Sequence, residues 1–388
     1  MKKKIVILGS TGSIGKNLID ILKNDKKNIE IKLLSTNKNY KELLKQVGLF
    51  KVKNIIIKDK KNFQITKKLL KNKKINIYNN FNKINSIFIK KDVDYTMNAI
   101  SGLDGLEPTL KIICHTKRIA IANKESIICG WKMISDQLRK YKTTFVPVDS
   151  EHFSIWSLLN NTHNKNIEKI YITASGGPFN NYPLNKFKYI TPKLALNHPN
   201  WKMGKKITID SATMMNKVFE VIEANKIFNI SYNKLKILVH PKSYVHALIK
   251  FSNGLTKILI HDTNMKIPIF NSLYPDFEKK IKSKNLDLQI INNLNFQEID
   301  KKRFPILKIL NSLRNKDSLF ETVIVSANDE LVKMFLDKKI KFLDISKMLL
   351  KFINQDEFKK YSSKIPKNID EIKQLNDYVR LKINTISI

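Results

Sequence analysis

The sequence predicts an α/β chain in three parts: an N-terminal parallel-sheet domain over 1–149, a central α+β domain over 150–285, and a helical C-terminal domain over 311–388 after a connector at 286–310. Three observations carry this. Short apolar runs alternate with helically spaced apolar residues through the first 148 positions, which implies parallel strands joined by right-handed crossovers. Between 150 and 285, strand-like runs are separated by polar clusters and Gly/Pro turns. From 318 onward the apolar spacing becomes helical. At 388 residues a single core is not expected.

The elements follow in order. KIVILG (4–9) is a compact apolar strand, and KNLIDILKN (16–24) has helical spacing at Leu18, Ile21 and Leu22. IEIKLLS (29–35), NIIIKD (54–59), YTMNAI (95–100), RIAIAN (118–123) and TTFVPVD (143–149) read as further strands of one sheet. In the central part KIYITASGG (169–177), KITID (206–210), KLKILVHP (234–241) and LTKILIHD (255–262) read as strands. Segment 213–228 reads as one helix, with Ser211 or Thr213 placed to cap it. Segments 318–340 and 342–355 are helical, and a charged helical pattern closes the chain.

Lys plus Arg number 71 and Asp plus Glu 34, a net charge of +37. Such a balance raises nucleic-acid binding as a reading. The lysines are spread through every loop, as in KNKKINIYNN (71–80), without a basic stripe interleaved with aromatics, so the sequence predicts no specific nucleic-acid partner. A positive field would attract phosphorylated substrates instead. No apolar run approaches a membrane span. The apolar stretch Ile5–Leu8 is too short for a secretory leader, and Cys114 and Cys129 form neither a metal spacing nor a disulfide framework, so a cytoplasmic chain is expected.

Seven stretches carry candidate chemistry. GSTGSIG (9–15) lies between a strand and a helix, where glycines let the backbone approach a pyrophosphate and the helix N-terminus supplies free N–H groups; it reads as the dinucleotide turn of a Rossmann-like domain, or else as a merely structural turn. At the end of the second strand stand Asn37, Lys38 and Asn39, with no acid to repel a 2′-phosphate, which favours NADP over NAD, or else forms a plain solvated Lys/Asn loop. IANKES (121–126) places Lys124 and Glu125 at a strand's carboxyl edge, although alone such a pair reads as a surface contact. VDSEHFSIW (148–156) delivers Asp149 and Glu151 to another such edge; two carboxylates suit Mg²⁺ or Mn²⁺ once a third joins them, and otherwise read as helix-terminus acids. KITIDSATMMNKVFEVIEA (206–224) sets Asn216, Lys217 and Glu220 on one helical face, offering phosphate donors and that third carboxylate, or else a plain Lys217–Glu220 surface pair. TASGGP (173–178), with Ser175, reads as a phosphate turn or an ordinary one, and LNHPNWKMG (196–204) as a ligand-covering loop or a packed one.

Taken together, GSTGSIG, ANKES, VDSEH, TASGGPF, LNHPNWKMGKKITIDSATMMNKVFEVIEA and the later VHP-KS-x-VHA resemble the 1-deoxy-D-xylulose 5-phosphate reductoisomerase family over essentially the whole chain, in order. The resemblance implies an NADPH-binding domain, a central catalytic domain with a lid near 196–206, a helical C-terminal domain and a homodimer. It implies NADPH contacts at Thr11, Gly12, Ser13, Ile14, Asn37, Lys38, Asn39, Asn123, Glu125, Gly204 and Met265. Asp149, Glu151 and Glu220 would ligate Mn²⁺ or Mg²⁺. Lys124, Ser150, Glu151, Ser175, His198, Trp201, Ser211, Asn216, Lys217 and Glu220 would bind the small phosphorylated sugar substrate, with Lys124, His198 and the three acids in the catalytic centre. The family's reaction rearranges 1-deoxy-D-xylulose 5-phosphate and reduces it to 2-C-methyl-D-erythritol 4-phosphate in non-mevalonate isoprenoid synthesis. The chain departs from the family at Asn37 and His261, where glycine is usual, and at Lys242, where glutamine is usual. A rival reading is an NADP-dependent oxidoreductase without rearrangement, which needs no carboxylate trio; a basic nucleic-acid binder is the other.

Overall fold

The computed structural model describes residues 1–159, 166–201, 203–275 and 279–386. The chain forms two compact units. One comprises Met1–Ile127, Lys132–Phe153 and Asn264–Lys282, and the other Ile128–Trp131, Ser154–Thr263 and Ser283–Ile388.

The first unit is built on seven strands: β1 (Lys3–Leu8), β2 (Ile29–Thr36), β3 (Asn54–Ile57), β4 (Asn76–Tyr78), β5 (Val93–Asn98), β6 (Thr116–Ile121) and β7 (Thr144–Pro147). Their order is β4-β3-β2-β1-β5-β6-β7, and every pairing is parallel. The order reverses between β1 and β5, so a ligand crevice is expected beyond their carboxyl ends. β1 reads as a continuous apolar run because it is buried on both faces: Ile5, Val6, Ile7 and Leu8 are fully buried. Leu18, Ile21 and Leu22 of the helix Ser13–Lys23 join that core, as their spacing implies.

One segment crosses the boundary expected from sequence. The helix Lys266–Leu273 packs Ile269, Phe270 and Leu273 into the first unit's core. It is tied there by Tyr95 Oη to Ser272 Oγ (2.7 Å), and Tyr274 Oη donates to Asp25 (2.6 Å). A helix of eight residues with Pro at its third position carries no sequence sign of which sheet it will cover.

The second unit holds β8 (Ile167–Ala174), β9 (Leu235–Val239), β10 (Val245–Phe251), β11 (Thr256–Ile260) and β12 (Gln297–Glu298), ordered β11-β10-β8-β9-β12. Only β8 and β9 run parallel, so the sheet is mixed. The helix Met215–Phe228 buries Val221, Ala224 and Phe228 against Ile170, Ile172, Ala247 and Ile249 of the sheet. β12 lies within the stretch expected to be a featureless connector; two residues of edge strand are too short for a periodic signal. The helical C-terminal region forms as expected: Phe320–Leu336, buried on nearly every side, packs against Phe342–Ile353 and Ile369–Ile386.

KITID is a helix, not a strand: Lys205–Thr213 is α-helical. Five alternating residues fit either period, and tertiary contacts decide. Lys206 meets Asp210 one helical turn on (2.9 Å), and buried Asp210 accepts from Asn328 (2.8 Å). Ser211 therefore lies inside a helix rather than capping the next one. Met214, at φ 68°, is the left-handed joint between Lys205–Thr213 and Met215–Phe228.

Lys226 pins the second helix to the C-terminal region. Its ammonium lies 2.8 Å from Asp317 and 2.9 Å from Glu321, with the Lys226 and Glu321 side chains 3% and 2% exposed. Lys226→Met leaves Glu321 buried without its cation and should destabilise the fold by about 3–5 kcal/mol, read by urea unfolding.

Candidate active site

In the first unit the glycine turn is sterically specified. Gly9 has φ 80°, and a Cβ there would sit 2.7 Å from the Ala99 carbonyl oxygen; a Cβ on Gly15 would lie 2.5 Å from the Gly9 oxygen. The turn is also tied to β2: Ser35 Oγ accepts from Gly9 N (2.9 Å), the Ser35 carbonyl accepts from Ser10 N (2.9 Å), and Thr11 and Thr36 share a hydroxyl contact (2.6 Å). Gly12 and Ser13 are exposed at the start of Ser13–Lys23, whose first turn has no side-chain cap and no acid. Such an end offers N–H groups to an anion. Ile14 instead packs against the core. Gly15→Ala should weaken NADPH binding at least tenfold, because the clash is with backbone that cannot yield; titration of cofactor fluorescence reads it.

Asn37, Lys38 and Asn39 lie exposed just beyond the end of β2. Asn39 also caps the helix Tyr40–Phe50, its Oδ1 accepting from Glu42 N (3.2 Å). Asn123 is similarly occupied. Its Oδ1 accepts from Ser126 N (2.6 Å) at the start of Lys124–Tyr141, and its Nδ2 donates to the carbonyls of Ile100 and Gly102. It thereby fixes the loop after β5 against the end of β6. Glu125 stands in the first turn of that helix. Met265 packs on the first unit's core, one residue ahead of Lys266–Leu273.

Asp149 follows β7 and precedes the helix Ser150–Leu158. Its Oδ1 accepts from Glu151 N (3.3 Å) and from His152 Nδ1 (3.1 Å), while Oδ2 pairs with the Lys124 ammonium. Burial pushes this carboxyl up, but the Lys124 charge and the His152 hydrogen bond outweigh it and hold it well below the usual range. Asp149 is thus an ionised carboxylate with a fixed orientation. Ser150 Oγ donates to Glu151 Oε2 (2.5 Å). His152, fully buried, had no role from sequence alone; the i,i+3 spacing from Asp149 on a helix was the available signal.

In the second unit, Ser175 sits on the turn after β8 and Ser211 on the helix Lys205–Thr213, and His198 bridges them: Nε2 lies 3.2 Å from Ser175 Oγ and 3.1 Å from Ser211 Oγ. The other ring nitrogen settles the tautomer. Nδ1 accepts from Asn200 N (3.1 Å) and Trp201 N (3.0 Å), so in the neutral ring Nε2 carries the hydrogen. Burial, then the Lys217 charge, lowers the His198 pKa to about 4. The unfolded ring titrates near 6.5, so it binds protons more readily than the folded one between pH 6.5 and 4. Its contribution to stability is full above pH 6.5 and is lost as pH falls towards 4. An NMR titration of His198 should show no imidazolium at pH 6.

On Met215–Phe228, Lys217 Nζ lies 2.5 Å from Glu220 Oε2, and Asn216 Nδ2 donates to Glu220 Oε1. Glu220 is fully buried, so the alternative of a solvated surface pair is excluded. Asn200, not singled out from sequence, anchors the 196–204 loop by donating to the Pro241 carbonyl (2.7 Å) and Ser243 Oγ (2.9 Å). Trp201 is half-buried against the ring of His246, and Gly204 opens the helix Lys205–Thr213 with space around its α-carbon. Residue 202 of the expected lid lies outside the described residues.

Three family models match the chain: 1-deoxy-D-xylulose 5-phosphate reductoisomerase over residues 5–130, its C-terminal domain over 145–228, and the DXP reductoisomerase C-terminal domain over 261–382. The chain is similar to the 1-deoxy-D-xylulose 5-phosphate reductoisomerase of Pelagibacter ubique, 65% identical over 387 residues with 100% of both chains covered. That of Persephonella marina is 39% identical, with 92% of each covered. Among solved structures, the Zymomonas mobilis enzyme in complex with NADPH aligns with TM-score 0.88 and 31% identity, covering 100% of this chain and 99% of the other. A DOX-P reductoisomerase with NADPH, fosmidomycin and magnesium aligns with TM-score 0.90 and 28% identity, covering 99% and 98%.

Proposed function

The chain belongs to the 1-deoxy-D-xylulose 5-phosphate reductoisomerase family, and from that premise we propose how its own residues carry the reaction. The enzyme rearranges 1-deoxy-D-xylulose 5-phosphate and reduces it to 2-C-methyl-D-erythritol 4-phosphate, using NADPH and a divalent metal, in non-mevalonate isoprenoid precursor synthesis. We assign cofactor binding to 1–149, catalysis to 150–285 with a lid near 196–206, a connector to 286–310 and a helical domain to 311–388.

Asp149, Glu151 and Glu220 are the proposed metal ligands. Three carboxylates suit a hard divalent cation, whose preferred ligands are oxygens. When bound, Mg²⁺ or Mn²⁺ supplies Lewis-acid polarisation of the substrate's ketone and neighbouring hydroxyl oxygens. Lys124 holds Asp149 ionised and places an ammonium where negative charge develops. Ser150 orients Glu151.

The phosphate is assigned to Ser175, Ser211, Asn216, Lys217 and the neutral His198. The His198 bridge between the two serines carries this assignment: one ring fixes two hydroxyls, with Lys217 near enough to depress its pKa. Binding there, remote from the reacting carbons, positions the substrate and draws Trp201 over it, excluding water. NADPH supplies the hydride; Thr11, Gly12, Ser13 and Ile14 would cradle its pyrophosphate, Asn37, Lys38 and Asn39 its 2′-phosphate, and Asn123, Glu125, Gly204 and Met265 the rest of the cofactor.

We further propose a cytoplasmic homodimer that takes manganese as well as magnesium and has no specific nucleic-acid partner. Among the described residues no helix is long and apolar enough to cross a membrane. β11 is an outer strand of its sheet and exposes Ile258 beside Leu255, a surface a second copy would cover. Supplying substrate, NADPH and Mg²⁺ or Mn²⁺ should consume NADPH at 340 nm; no loss of absorbance with either metal would sink the assignment. Sedimentation showing only a monomer would remove the dimer.

A further inference from the structure

Three aromatic rings of the second unit form a row, and the reaction above uses only the first of them, Trp201. Trp201 meets His246 edge-on, ring centroids 6.3 Å apart at 64°. His246 in turn stacks on His261, with centroids 3.7 Å apart and planes within 19°. His246 comes from β10, and His261 directly follows β11. Both imidazoles are buried, at 1% and 9% exposure.

The row is held at both histidines. His246 Nε2 faces the His261 carbonyl (3.2 Å), and His261 Nδ1 faces the Asp262 carbonyl (2.7 Å). A carbonyl only accepts, so each of those nitrogens carries a hydrogen. His261 N donates to the Tyr244 carbonyl (3.2 Å), locking its backbone to the residue before β10. The two rings therefore cannot turn independently of the sheet. Trp201 lies on the loop between His198 and the helix Lys205–Thr213.

We propose that His261 is a positioning residue: acting through His246, it fixes the edge against which the Trp201 indole rests and so preorganises the lid for substrate. The inference rests on the assignment of Trp201 to the lid. A ring pair of this kind contributes enough to shift a binding equilibrium about three- to tenfold.

The test uses the full enzyme with NADPH and Mg²⁺. His261→Ala should raise KM for 1-deoxy-D-xylulose 5-phosphate by about three- to tenfold and change kcat less than about twofold. His261→Phe, which keeps a flat ring on His246, should restore KM to within about twofold of the parent. Trp201 emission, obtained by subtracting the spectrum of Trp201→Phe, should shift in His261→Ala and not in His261→Phe. An unchanged KM and an unchanged emission in His261→Ala would overturn the proposal, as would a Phe variant no better than Ala. Thermal unfolding of both variants separates loss of fold from loss of positioning. If the parent itself turned over no substrate, the functional assignment would fail; the emission comparison would still decide whether His261 positions Trp201.

Discussion

Glu220→Gln is expected to lower kcat/KM with Mg²⁺ or Mn²⁺ by on the order of 10³-fold or more, because it removes one of the three proposed ligand charges while keeping the side chain's size. The glutamine retains an oxygen for Asn216 or Lys217, which now contact the Glu220 carboxylate, so the helix Met215–Phe228 should survive. NADPH binding, assigned to other residues, should be unchanged. An oxidoreductase without rearrangement would barely notice the substitution. Turnover at a range of Mn²⁺ concentrations, with NADPH affinity and Tm as controls, decides between them.

Lys217→Ala is expected to lower kcat/KM by about 10²- to 10³-fold, since it deletes the charge-assisted contact proposed for the phosphate and leaves Glu220 buried without its ammonium. If phosphate binding only holds the substrate, the loss falls on KM; if it also orients the reacting carbons, kcat falls too. The substrate lacking its phosphate separates the causes. Towards that compound the variant and the parent should differ far less, and the phosphate and Lys217 should show strong non-additivity. Equal losses with both compounds would move Lys217 from the phosphate to the metal centre.

These residues were legible in the sequence to different degrees, for physical reasons. The glycine turn announced itself because Gly9 and Gly15 have no substitute where backbones touch. Asp149 was legible because an apolar strand ends just before it, and parallel sheets place ligands at that edge. Glu220 needed the helical period to join Asn216 and Lys217. KITID misled because five residues with alternating apolar side chains carry either period, and the buried Asp210–Asn328 contact spans 118 positions of sequence. The return of Lys266–Leu273 to the first unit was hidden for the same reason: its partners, Tyr95 and Asp25, lie far back in the chain. Asn39 and Asn123 show the converse. Both look like ligand contacts in the motif, and both also serve as helix caps, so one polar side chain shapes the site and holds the fold.

The most direct test of the account is the identity of the product formed per NADPH oxidised. With 1-deoxy-D-xylulose 5-phosphate and Mg²⁺, carbon NMR should show the branched 2-C-methyl-D-erythritol 4-phosphate in one-to-one ratio with NADPH consumed, abolished by chelator and restored by metal. An unbranched reduced sugar phosphate, or turnover indifferent to the chelator, would contradict it.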